Sequence, residues 1–235
     1  MLKSNILRRL SILTIGIILP FIFLYKGIYG SFLFTFSIPL IWQILRQSKE
    51  TYPLGSCYSS SWKLIIIGGL TGCLMGIGGG LTLKWLGING QSFSDLHPLQ
   101  IAIGPWSVQL SLQNELGYRL LKASHTLTGL WLYFIFSVFI IGLGEELFWR
   151  KFIQQKFNRL FSTRITIFIT NLLFALTHCY LFTILSFKDG ITLLLLIAVA
   201  GGVWSYLLIY FKNIWPSVIS HGVSAFILWK YFFFN

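Results

Sequence analysis

Apolar runs close to the length of a membrane-crossing helix follow one another at residues 10–25, 31–45, 64–83, 125–145, 165–187, 191–211 and 216–234. A helix crosses the hydrocarbon core of a bilayer in about 20 residues. In lipid every backbone N–H and C=O must be satisfied within the protein, so consecutive runs of this kind fold as packed helices. The expected architecture is an all-α, polytopic transmembrane helical bundle of about seven spans. Charge content agrees. Only 10% of residues are charged, against about 25% in a soluble domain.

Residues 1–126 read as N-terminal spans plus a long polar or interfacial loop. Residues 127–235 read as a helical core, the two parts forming one membrane unit. The first run follows Lys3, Arg8 and Arg9 and contains Pro20. Tyr25, Lys26 and Tyr29 crowd its end where a small-x-small cleavage site would lie, so it is expected to be a retained span. Gly68, Gly72 and Gly76 place small residues on one face of the third run, which lets another helix approach closely. Residues 148–164 interleave Arg150, Lys151, Lys156, Arg159 and Arg164 with Phe152, Ile153, Phe157 and Leu160, the pattern of an amphipathic helix at a membrane surface.

The net charge of +12 raises the question of nucleic acid. The basic residues lie in short clusters between apolar runs, as in cytoplasmic loops, and no nucleic-acid motif is present. With seven spans, twice as many Lys and Arg fall on the side of the N-terminus as on the other, which predicts a cytoplasmic N-terminus. Cys57, Cys73 and Cys179 form no C-x-x-C pair, and Cys73 and Cys179 are expected to pack as small apolar side chains.

Six acidic residues occur in the whole chain, and two of them, Glu145 and Glu146, stand together at the end of the fourth run. Placing a charge in lipid costs roughly 2.5–3.5 kcal/mol on insertion scales, so such groups face a protein interior or a wet cavity and often mark function. Successive helical residues turn by about 100°, which separates the two carboxylates. Arg150 is the i,i+4 partner of Glu146 and lies about 140° around from Glu145. Arg150 is thus expected to neutralise and orient Glu146, leaving Glu145 for chemistry. The bland alternative is an interfacial charge cluster with Arg150 and Lys151.

Two histidines lie in other runs, His178 in the fifth and His221 in the seventh. Asn171 precedes His178 by two helical turns, and Ser217 and Ser224 flank His221, so polar faces on three helices can converge. His97 and His125 read as ordinary interfacial residues. Carboxylate plus imidazole can activate water by general-base chemistry. The same Glu-His-His set is also a possible zinc site, although H-E-x-x-H is absent. A serine nucleophile is disfavoured by the missing G-x-S-x-G elbow.

At these residues the chain resembles the CAAX protease and bacteriocin-processing (Abi) family of intramembrane glutamate proteases. Its Glu-Glu-x-x-x-Arg motif is matched by Glu145, Glu146 and Arg150. Its Phe-x-x-x-His motif is matched by Phe174 and His178. Its His-x-x-x-Asn/Asp motif begins at His221 but ends on Ala225, and Lys151 stands where a glycine is common. The resemblance covers about residues 127–229.

It implies a membrane peptidase in which Glu145, His178 and His221 surround a catalytic water, supported by Glu146 and Arg150, with no obligatory metal. The substrate would be a membrane-associated protein or peptide. The departure at Ala225 removes a charge-stabilising group, and Ser224 is the hydroxyl expected to replace it in part. The alternative is a weakly active or inactive relative serving as a binding or immunity partner in the membrane. A small transporter is a third class, but no internal repeat supports it.

Overall fold

The computed structural model describes residues 61–88, 99–103, 106–110, 116–178, 182 and 185–233. The expected spans at 10–25 and 31–45, the polar segment to residue 60, Cys57, His97 and Cys179 lie outside the described residues, and with them the count of seven spans and the orientation. Six helices are described: α1 (Ser61–Trp85), α2 (Leu116–Ala123), α3 (Leu127–Phe157), α4 (Thr163–Leu176), α5 (Phe187–Phe211) and α6 (residues 215–233). Three of them, α1, α3 and α5, are long and apolar enough to cross a membrane. The strands among the described residues form an antiparallel hairpin, β1 (Leu99–Ile103) with β2 (Trp106–Leu110), pairing Leu99 with Leu110 and Ile103 with Trp106.

Among the described residues the helix surfaces are apolar, and many polar side chains are buried beside the apolar core. Leu70, Leu74, Phe168, Leu195 and Val199 are exposed on the helix surfaces, while Glu146, Arg150, Thr166, Thr170, Ser205, Ser217 and Ser220 are buried. That distribution suits an integral membrane protein, whose surroundings accept hydrocarbon and whose polar groups must be satisfied from within. Cys73 is exposed on α1, not packed inside as its apolar setting suggested.

Glycines set the packing. A Cβ on Gly68 would stand 2.9 Å from Ile219 Cβ, one on Gly72 2.7 Å from the Ser220 carbonyl, and one on Gly76 2.8 Å from Ile227 Cβ. The glycine face of α1 thus lies directly on α6, as the spacing predicts, and the matching order of contacts makes the two helices parallel. Pro216 occupies the first turn of α6, where its missing N–H costs nothing. Lys212, with φ of 49°, ends α5 in the left-handed region and allows the sharp return into α6.

Two further expectations from the sequence need correction. The fourth run does not end at Glu145. It continues as one helix to Phe157, and Phe148, Trp149, Phe152 and Ile153 are buried against Phe174, Trp204 and Leu207. The charges expected on a surface helix include Arg150, which is fully buried because its partner is internal. The fifth run is also shorter than expected. α4 closes at Leu176, so His178 sits in the turn just after the helix.

Candidate active site

α3 delivers the acid pair. The Leu143–Glu146 segment lies between two wider, π-helical stretches, Ser137–Gly142 and Leu147–Gln154. Such i→i+5 turns inside α-helices concentrate at functional sites. Here both carboxylates are turned inward, with Glu145 4% and Glu146 0% exposed.

α6 supplies the group between them. His221 Nδ1 lies 3.0 Å from Glu146 Oε1, and Nε2 lies 3.6 Å from Glu145 Oε2. With the Glu146 carboxylate oxygen as acceptor, the first contact puts the ring proton on Nδ1 and leaves Nε2 as the lone-pair atom facing Glu145. The second distance exceeds a direct hydrogen bond. Arg150 Nε lies 3.5 Å from Glu146 Oε2, and Nη2 donates to the Gly201 carbonyl at 3.1 Å. The result is a buried chain of polar contacts, Arg150–Glu146–His221–Glu145.

Helix contact makes this arrangement possible. A Cβ on Gly142 would stand 2.5 Å from the Val218 carbonyl oxygen and 2.9 Å from Gly222 N. α3 and α6 therefore touch backbone to backbone beside His221. Gly201 serves similarly on α5, where an added Cβ would meet Asn171 Oδ1 at 2.9 Å and Arg150 Nη2 at 3.1 Å.

Aromatic rings fix the imidazoles. Trp204 stacks on His221 with centroids 3.7 Å apart and planes 12° apart, and its Nε1 donates to Ser220 Oγ at 3.2 Å. Phe174 stands edge-on to both histidines, 5.0 Å from the His178 ring and 6.1 Å from the His221 ring. It also carries the Arg150 guanidinium at 5.0 Å. His178 Nδ1 lies 3.0 Å from the Phe174 carbonyl, which places its proton there. Phe174 therefore gathers His178, His221 and Arg150 onto one side chain.

The other residues singled out by sequence take these places. Asn171 Oδ1 accepts from Ser205 Oγ at 3.2 Å, close to Gly201 and thus on the Arg150 side of the site. Ser217 Oγ donates to the Trp204 carbonyl at 2.9 Å. Ser224 Oγ donates to the His221 carbonyl at 2.9 Å, the ordinary bond of a serine in an apolar helix. Ala225 is partly buried one turn after His221. His125 bonds the Lys122 carbonyl at an exposed position. Trp204, Gly142, Gly201 and Gly222 were not singled out by the sequence reading. The only sequence signal for them is a Trp and small residues inside apolar runs, which is common in membrane helices.

Among the described residues no three His, Cys, Asp or Glu side chains converge as a set able to hold a metal ion. Each ring nitrogen of His221 faces a carboxylate instead.

Residues 127–227 match the family model described as Rce1-like, type II CAAX prenyl endopeptidase Rce1-like. The matched segment runs from the start of α3 into α6 and contains Glu145, Glu146, Arg150, Phe174, His178 and His221. This bears out the resemblance to the CAAX protease and bacteriocin-processing family. No curated protein and no solved structure matches the chain.

Proposed function

We propose that residues 127–227, as an Rce1-like domain, form an intramembrane endopeptidase that hydrolyses a peptide bond of a membrane-associated protein or peptide. The observation that carries this reading is the position of His221 between Glu146 and Glu145, 3.0 and 3.6 Å away.

Glu146, paired with Arg150, accepts the Nδ1 proton and fixes both the tautomer and the direction of the ring. Trp204 holds the ring plane. Nε2 and Glu145 Oε2 then address one point in space. A water there reaches both atoms at ordinary hydrogen-bond lengths of about 2.8 Å. Glu145 takes its proton as general base while His221 orients it for attack on the carbonyl carbon. The proton held by Glu145 passes to the leaving amine when the C–N bond breaks. His178 gives its Nδ1 proton to the Phe174 carbonyl, which leaves Nε2 as an acceptor, so its proposed part is to help hold the water and not to bind an oxyanion. Glu145, His178 and His221 are thus the proposed catalytic residues, with Glu146 and Arg150 as their support. Ser224 is proposed only as a helix-stabilising residue, since its proton goes to the His221 carbonyl.

The test compares the termini of membrane proteins in cells carrying the wild type or Glu145→Ala. A new terminus present only with the wild type supports a peptidase and names its substrate. Identical termini, with both proteins at equal level, support the non-catalytic binding partner.

A further inference from the structure

Four buried polar side chains include atoms that take no part in this chemistry. Gln154 on α3 and Thr166 and Thr170 on α4 are 1%, 0% and 0% exposed. Among the described residues, neither the Gln154 amide nor either hydroxyl meets a hydrogen-bond partner, and Arg150 Nη1 meets none. Threonines and serines in apolar helices ordinarily bond a carbonyl one turn back. Ser137 does so with Tyr133, and Thr192 with Lys188. Thr166 and Thr170 depart from that rule, so their hydroxyls are turned toward something else.

The four groups lie on two helices that are consecutive in the chain. Arg150 and Gln154 are one turn apart on α3, as Thr166 and Thr170 are on α4. The two helices are joined by a short turn at residues 158–162 and run antiparallel. The Arg150 guanidinium lies over Phe174, and this register, carried one turn toward the connection, sets Gln154 level with Thr170. Thr166 is the first buried residue of α4 behind the exposed segment 161–165. On α4, groups four residues apart are separated by about 6 Å along the axis. A single bridging water with two hydrogen bonds of about 2.8 Å closes a gap of that size. The set offers donors at Arg150 Nη1 and Gln154 Nε2 and an acceptor at Gln154 Oε1, so its ligand must both donate and accept. A bare cation beside Arg150 is repelled, and an anion leaves Gln154 Oε1 unanswered.

We propose that the α3–α4 seam binds a file of ordered water running from the exposed 158–162 turn to Arg150. The file solvates the guanidinium on the side away from Glu146, which lets a charged pair persist in the bundle. The proposal rests on the fold and stands whether or not the site is a peptidase.

Thermal unfolding of the purified full chain and four variants tests it. Thr170→Val removes the hydroxyl at constant shape, and Thr170→Ser keeps the hydroxyl and removes a methyl. A hydrated seam places Tm in the order wild type, Ser, Val, because only the hydroxyl can bond water. A dry seam gives the order Val, wild type, Ser, because an unpartnered hydroxyl is a penalty that valine relieves. Thr166→Val is expected to lower Tm as well, and less so in the Thr170→Val background, because the file is already broken there. A Thr170→Val protein that fails to fold while Thr170→Ser folds agrees with the proposal. A Thr170→Val protein as stable as the wild type or more so overturns it.

Discussion

Gly142 and Gly222 bring the backbones of α3 and α6 into contact: a Cβ on Gly142 would stand 2.9 Å from Gly222 N, and one on Gly222 would stand 2.4 Å from Val138 Cα. The neighbours are backbone atoms that cannot rotate away. Gly222→Ala is therefore expected to push the helices apart beside His221 and to cost about 1–3 kcal/mol as overpacking. Activity should fall with the lowered Tm, because the distances from His221 to Glu145 and Glu146 depend on this crossing. Gly69→Ala, at a position with open space around its Cβ, is the control expected to change neither. A Gly222→Ala protein with wild-type Tm and turnover contradicts the crossing.

Arg150→Ala should destabilise the protein strongly. It leaves Glu146 buried without its cation, with only His221 Nδ1 beside it, and breaking a buried pair costs about 3–5 kcal/mol. Arg150→Lys keeps the charge but loses the planar fork that reaches Glu146 and the Gly201 carbonyl together, so it should fall between. Both are read by thermal unfolding in detergent. An effect near 0–1 kcal/mol for Arg150→Ala is the value of an exposed pair and contradicts the burial described here.

These residues also mark how far sequence reasoning reached. The Glu146–Arg150 pair was legible because i,i+4 spacing fixes a local contact. The glycine face of α1 was legible for the same reason, since Gly68, Gly72 and Gly76 lie on one side of one helix. Gly142 with Gly222, and Trp204 with His221, join different helices, and no spacing within a helix encodes them. Residues 148–164 failed for a different reason. An internally paired Arg150 and a lipid-surface Arg150 give the same alternation of basic and apolar residues. Only the partner, buried with it, tells them apart.

Trp204 is expected to act through the ring it covers. Trp204→Leu frees the His221 plane, and misplacing a reacting group by about 1 Å can cost 10²-fold in rate. Trp204→Phe retains a stacking ring and loses only the bond to Ser220, so it should recover most of kcat. Steady-state kinetics on a cleaved substrate, with kcat and KM separated, make the comparison. Equal losses in the two variants assign the effect to the Ser220 bond instead.

Ser224 donates its proton to the His221 carbonyl, so Ser224→Ala should cost about 1 kcal/mol of stability and leave turnover nearly unchanged. Ala225→Asn adds an amide one turn after His221. One well-placed oxyanion donor is worth about 10²–10³ in rate, which sets the upper bound of the expected gain. The two substitutions should be additive in a double-mutant cycle. A loss on Ser224→Ala that disappears in the Ala225→Asn background assigns to Ser224 the donor role first expected from sequence.

The central claim is that Glu145 is the base that deprotonates water, oriented by a His221 that Glu146 and Arg150 hold in place. Glu145→Gln keeps the shape of the side chain and removes its capacity to accept that proton. The decisive measurement is single-turnover cleavage of an identified substrate by the purified Glu145→Gln protein in lipid, at a protein level and Tm matched to the wild type. The account predicts a folded protein that binds substrate and does not cleave it. Cleavage at the wild-type rate contradicts it.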